Sequence, residues 1–278
     1  MRLLKSIGWI VSKLLPDKAA KHYVYPLLIR RPLAPYNPCR FFESYYRALQ
    51  DQEFSDRMTI GPECKPLLAK YHYNAVENSI LEYLASKPPV HKPVSLLDAG
   101  TGTGHWIDFY RELFSPEKVV GVEISEVCAE RLVRKYEGCP NVHIISGDIS
   151  DPTFHLGQRF DLISAVGVFF HIVEDERWKR ALRNLADHLN DDGIIIASGQ
   201  FGWITQNVQF HATDEFLSYK DSVNAASPTL LVNKRVRSLA LWKKCTREAG
   251  LRIVALKRTR QRKAILTPEN NVLILSRK

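Results

Sequence analysis

The chain has no apolar run of eighteen residues, so no membrane-crossing helix is expected of it. It has no C-x-x-C pair. Its five cysteines, Cys39, Cys64, Cys128, Cys139 and Cys245, are odd in number and scattered. That argues against a disulfide framework and a structural zinc site, and it points to a reduced, cytoplasmic setting. The dinucleotide spacing G-x-G-x-x-G is missing where it would be expected, after the first buried strand. A secretory leader is disfavoured too, because Lys5 and Lys13 leave an apolar core of seven residues with no clear A-x-A site after it. Positive charge is scarce in the middle of the chain. Residues 1–40 carry +7 and residues 233–278 carry +12, which leaves −10 for the centre of a chain whose net charge is +9. Basic ends around an acidic middle suit an anionic contact, whether membrane surface, acidic substrate or nucleic acid, and equally suit a solvated surface.

What is present is an ordinary globular composition, 278 residues with 45% hydrophobic and 25% charged. That allows one large α/β domain with an extension. Residues 1–15 place Leu3, Leu4, Ile7, Ile10, Val11, Leu14 and Leu15 on one helical face, with Arg2, Lys5 and Lys13 opposite. Such a helix docks on its own core or lies in a lipid interface. Pro26, Pro32, Pro35 and Pro38 make an extended linker, so residues 1–60 read as an N-terminal extension. Helices are expected at 41–50 and 65–86, ended by Pro88 and Pro89. From residue 94 apolar runs at 94–98, 118–123, 142–146, 160–166 and 193–198 alternate with amphipathic segments at 105–114, 125–136 and 176–189. That alternation means a parallel sheet covered on both faces. Near the end, a helix over 235–249 precedes two strands, 251–256 and 271–276. A loop, Thr267-Pro268-Glu269-Asn270, joins these strands, so they pair antiparallel if adjacent.

The organising stretch is Val94-Ser95-Leu96-Leu97-Asp98-Ala99-Gly100-Thr101-Gly102-Thr103-Gly104-His105. It reads as a buried strand, a tight glycine turn and a helix start. Glycine permits the sharp turn and a close ligand approach, and the helix start offers unpaired N–H groups. Leu96 to Gly104 resembles motif I of the class I S-adenosylmethionine (SAM)-dependent methyltransferases. The resemblance runs over roughly residues 61–278. It implies a doubly wound, seven-stranded, mostly parallel sheet with one antiparallel strand near the C-terminus.

It also implies a site. Asp98 would help hold the ammonium of the cofactor's amino acid tail, with Gly100, Thr101, Gly102 and Gly104 forming the turn around it. Glu123, ending the second strand beside Ile124, would accept hydrogen bonds from ribose hydroxyls; charged acceptors make the stronger bonds. Dehydrogenases share that acid. Asp148 and Ile149, after the third strand, would meet the adenine. Ala165 and Val166 close the fourth strand at the same edge. The turn Leu189-Asn190-Asp191-Asp192-Gly193 resembles the family's turn before the fifth strand.

The loop after the fourth strand, Gly167-Val168-Phe169-Phe170-His171-Ile172, should face the transferred methyl. It lacks the Asn/Asp-Pro-Pro-Tyr/Phe motif of enzymes that methylate base amines, and no magnesium-holding pattern of acids is evident. His171 is the candidate general base, since histidine's ordinary pKa suits proton removal near neutrality. His105 is the second candidate. An N-terminal helical cover makes Tyr45, Tyr46, Tyr71 and Tyr73 candidates to line the site. An insertion over 200–234, carrying Phe201, Trp203, Phe210 and His211, reads as a lid over the substrate or as a structural flap whose aromatics reinforce the core. The basic run Lys234, Arg235 and Arg237 is placed to hold a carboxylate or phosphate. Phe170, Trp203, His211 and Arg235 join the tyrosines as substrate-side candidates. The expectation is metal-independent methyl transfer from SAM to a small molecule, at oxygen. The rival readings are an RNA methyltransferase, an NAD(P)-dependent oxidoreductase, and a non-catalytic adaptor of the same fold at a membrane.

Overall fold

The computed structural model describes residues 37–60, 66–89, 91–202, 205–211, 231–259 and 270–278. The expected helix over 1–15, nearly all of the proline-rich linker, Trp203 and most of the insertion lie outside the described residues.

Three helices precede the sheet: α1 (Pro38–Ala48), α2 (Arg57–Ile60) and α3 (Pro66–Ser86). Pro38, counted above as linker, is instead the first residue of α1. The Asn37 side chain caps that helix by accepting from the Arg40 N–H at 3.2 Å, and proline at the first position sacrifices no helical donor.

The strands are β1 (Ser95–Ala99), β2 (Lys118–Glu123), β3 (Val142–Ser146), β4 (Phe160–Val166), β5 (Leu189–Gly202), β6 (Gln206–His211), β7 (Leu231–Ser238), β8 (Leu251–Lys257) and β9 (Asn270–Arg277). The main sheet runs β3-β2-β1-β4-β5-β9-β8. β1 to β5 pair in parallel, and β9 runs antiparallel to both its neighbours. That is the seven-stranded order with one reversed strand. A hairpin of β6 and β7 is added beside it, because the far end of β5 also pairs with β7 through Phe201 and Arg237.

Helices α4 (His105–Phe114), α5 (Glu126–Lys135), α6 (Asp175–Asp187) and α7 (Leu239–Glu248) cover the faces. Alternate residues of β1 serve two cores: Leu97 and Ala99 pack with Trp178, Leu182 and Trp242 of α6 and α7, while Leu96 packs with Ile107, Tyr110 and Leu132 of α4 and α5. Burial on both faces is why the strands read as unbroken apolar runs. Tyr46, Leu49 and Met58 belong to the second core, so residues 37–60 pack onto the domain.

Two boundaries differ from expectation. The helix expected from 235 starts at 239, because residues 231–238 are drawn into pairing with β6 and β5; the Ser238 side chain then caps α7 at the Leu241 N–H. β5 starts at Leu189, four residues early. The register shifts where it passes Phe160 to Leu162, and a Cβ at Gly193 would lie 2.9 Å from the Asp161 carbonyl oxygen. Gly193 thus serves a close strand approach within β5 and not a free turn.

Candidate active site

The carboxyl ends of β1, β2 and β4 converge on the glycine turn, the usual ligand crevice of open α/β sheets. Gly100, Gly102 and Gly104 all have positive φ, 75°, 57° and 88°. At Gly100 a Cβ would overlap the Val168 side chain, so the turn abuts the loop after β4. At Gly104 a Cβ would overlap the Tyr136 hydroxyl, which donates to the Gly104 carbonyl at 2.9 Å. All three glycines thus answer to close packing, Gly100 against the loop after β4, Gly102 against Thr59 and Gly104 against the end of α5. The Thr101 hydroxyl turns inward and donates to the Asp98 carbonyl at 3.1 Å.

Three acids line this end of the sheet. Asp98 is 1% exposed, and neither carboxylate oxygen has a hydrogen-bond partner of ordinary geometry among the described residues. Burial pushes its pKa up to about 7; the nearby Ser164 hydroxyl opposes the rise, and the charge of Glu123 adds to it. A buried carboxylate without a partner is costly, and it is the observation here that most directly calls for a cationic ligand group. Glu123 is also buried. It accepts from the Gly102 N–H at 2.8 Å and from the Ser125 N–H at 3.1 Å. Burial raises it to about 7 against those backbone donors. Asp148 is half-buried; it accepts from Ser150 and, at 2.5 Å, from Arg177. Ile149 beside it is buried in the core with Val122 and Ala99. Ala165 is buried and Val166 half-buried at the end of β4.

A cover lies over the turn. Glu43 of α1 accepts from the Ser125 hydroxyl at 2.8 Å and the Val127 N–H at 3.3 Å, which ties α1 to the start of α5. Tyr45 donates to the Met58 carbonyl at 2.5 Å. Tyr46 is buried, and Thr59 stands over Gly102. Tyr73 hydrogen-bonds Thr59 and stacks on His105 with centroids 3.8 Å apart. Tyr71, by contrast, is 49% exposed on the outer face of α3.

His105 is held from both sides. Nδ1 meets Asp56 at 2.6 Å and Nε2 meets Glu77 at 2.7 Å. Burial works to lower its pKa, but the two carboxylates outweigh it and raise it to about 9. Such an imidazole is a cation at neutral pH with no lone pair to take a proton. This removes His105 as the second base. Asp56, which also accepts from the Thr103 hydroxyl at 2.9 Å, was not flagged by any motif.

His171 has a different setting. It ends a single 3₁₀ turn, Phe169–His171, just past β4. Phe42 of α1 meets its ring edge-on at 5.1 Å and Phe170 lies at 4.5 Å. The Lys234 ammonium sits 4.6 Å from the Phe170 ring centre. The basic run expected to hold an anion is largely spent within the protein. Arg235 grips Asp175 bidentately at 2.8 and 2.9 Å, and Arg237 shares the same carboxylate at 3.0 Å. Asp175 lies below the ordinary carboxylate pKa: burial would raise it, and the two guanidiniums prevail. His211 falls on β6, where its side chain lies outside the description.

Residues 96–193 match the profile of a family described as "Methyltransferase domain". No curated protein matches the sequence. Three solved structures share the architecture. A 1,6-didemethyltoxoflavin-N1-methyltransferase of Burkholderia thailandensis, with bound 1,6-didemethyltoxoflavin and S-adenosylhomocysteine, is 17% identical, covers 90% of this chain and 93% of its own, and has a TM-score of 0.58. The CcbJ methyltransferase of Streptomyces caelestis is 17% identical over 87% of this chain and 99% of its own, with a TM-score of 0.56. The N-methyltransferase NodS of Bradyrhizobium japonicum WM9, in complex with S-adenosylhomocysteine, is 14% identical over 86% of this chain and 98% of its own, with a TM-score of 0.54. At these identities the likeness is one of fold.

Proposed function

We propose that this chain, which carries a class I SAM-dependent methyltransferase domain with SAM as its cofactor, transfers the methyl group to a small-molecule acceptor at a proton-bearing oxygen or nitrogen. The residues fit the cofactor. The buried Asp98 carboxylate, with no hydrogen-bond partner of ordinary geometry among the described residues, suits an ammonium group, and the glycines let the turn pass close beneath Val168 and Thr59. Glu123, which already accepts from the Gly102 and Ser125 N–H groups, would meet the ribose hydroxyls, and Asp148 the base, while Ile149 packs in the core. When bound, SAM supplies an electrophilic methyl on a sulfonium. The chain's own residues then orient the acceptor and remove one proton. Positioning accounts for most of such an in-line displacement.

The observation that supports the reading is the setting of His171, framed by Phe42 and Phe170 in the loop whose Val168 rests on Gly100. The imidazole there would take the acceptor's proton, and the aromatic rings beside it suit a planar or apolar acceptor. Sequence reading favoured oxygen. Two of the structural neighbours bear the name N-methyltransferase, so both heteroatoms belong in the test. A library of hydroxylated and amine-bearing small molecules, assayed with SAM for S-adenosylhomocysteine release, is expected to yield an acceptor in one of these two classes. Methylation of RNA alone would overturn the reading. Peripheral membrane contact through residues 1–15 also stands as a proposal; loss of liposome co-sedimentation on their removal would support it.

A further inference from the structure

The loop that carries His171 is short and irregular, and its backbone polar groups need partners. Much of that need is met by one side chain from far along the chain. Arg237 lies on β7, at the base of the inserted hairpin, and is 1% exposed. Its Nη2 donates to the Ile172 carbonyl at 2.9 Å and to the Val173 carbonyl at 3.3 Å, and its Nη1 reaches the Phe169 carbonyl at 3.5 Å. Nε donates to Asp175 at 3.0 Å. The guanidinium carbon lies 4.4 Å from the Trp178 ring centre, in cation–π range. One planar group thus brackets His171 from both sides in sequence and fixes the loop to the first residue of α6. The other end of the loop, Val168, rests on Gly100.

We propose that Arg237 is a positioning residue for methyl transfer: it clamps the 169–173 backbone and so sets the His171 ring against the acceptor crevice. This rests on the methyltransferase reading above. Arginine is suited to the task because its fork spreads several donors in one plane, whereas a lysine ammonium is a single point of charge. The clamp also joins the inserted hairpin to the acceptor loop, because Arg237 pairs with Phe201 of β5 as part of β7. Arg235 completes the arrangement by holding the same Asp175 carboxylate.

The test uses the full chain and the variants Arg237→Lys and Asp175→Asn. Lysine keeps the charge opposite Asp175 and loses the carbonyl fork; the asparagine keeps Arg237 and loosens its anchor. Three quantities are measured well below the melting temperature: S-adenosylhomocysteine affinity by calorimetry, His171 ring resonances by NMR, and turnover per folded molecule on an acceptor from the screen. Arg237→Lys is expected to leave S-adenosylhomocysteine affinity within about twofold, to shift or broaden the His171 resonances, and to slow turnover by roughly 10- to 100-fold, as expected of a small misplacement. Asp175→Asn should move the same signals less. If both variants melt earlier but keep the wild-type His171 resonances and turnover per folded molecule, Arg237 is merely a stabilising residue and the proposal is overturned. If the wild type binds no S-adenosylhomocysteine, the methyltransferase reading fails, while the His171 resonances still decide whether Arg237 holds the loop.

Discussion

Two histidines flank the glycine turn, and they are opposites. His105 opens α4 between two carboxylates, Asp56 and Glu77. His171 ends the loop after β4 between two aromatic rings, Phe42 and Phe170. The first is a fixed cation that ties the N-terminal cover to the start of α4. The second is flanked by two aromatic rings where the acceptor is proposed to bind. Position beside a cofactor turn therefore does not make a base. The neighbours decide, because a proton acceptor needs a free lone pair and two carboxylates take that away.

The sharpest way to break this contrast is to exchange each ring for an amide. His171→Asn should lower turnover by about 100- to 10,000-fold with SAM affinity nearly unchanged. Steady-state kinetics beside calorimetry would check it, and undiminished turnover would mean that the acceptor needs no base or finds another. His105→Asn should act on stability instead, and its effect should depend on pH. The folded pKa of about 9 lies above the ordinary value of 6.5. The stabilisation is therefore fully present below pH 6.5 and disappears as pH rises through 9. Its upper bound is about 3 kcal/mol, and the partial exposure of Asp56 reduces it. Denaturant melts of both proteins at pH 6 and pH 9.5 should converge at the higher pH. A gap that stays constant would contradict the assignment.

On the cofactor side, Glu123→Ala should weaken SAM binding by about 1.5–3 kcal/mol, the worth of hydrogen bonds to a charged group; calorimetry reads this directly. The smallest effect is expected at Tyr71. It shares α3 with Tyr73 but faces outward, so Tyr71→Ala should change stability by about 0.5 kcal/mol or less and leave turnover alone. A large loss there would mean the cover extends further round α3 than the packing indicates.

The proposed cofactor half is legible in sequence because its residues are local. Asp98, Gly100 and Gly102 lie within five positions, Glu123 closes a strand whose apolar run is plain, and Asp148 follows the next strand by two residues. The acceptor half is assembled from afar: Phe42 reaches His171, and Arg237 reaches Asp175 across 62 positions. A basic run was visible at Lys234, Arg235 and Arg237, but its sequence does not show that one carboxylate on α6 absorbs two of the three charges. The same limit applies to His105. Its place after Gly104 was obvious, and its partners Asp56 and Glu77 come from segments with no motif of their own. The start of α7 was misplaced for a related reason: 231–238 becomes a strand only because β6 and the end of β5 are there to pair with it.

The central claim is that carboxylate neighbours, and not nearness to the glycine turn, determine which histidine is available for chemistry. It is tested most directly by the protonation state of His105, read from its ring nitrogens by NMR at pH 7.5. The account predicts two protonated ring nitrogens, with the charge lost only as pH approaches about 9. A neutral His105 ring at pH 7.5 would contradict it and restore that residue as a base.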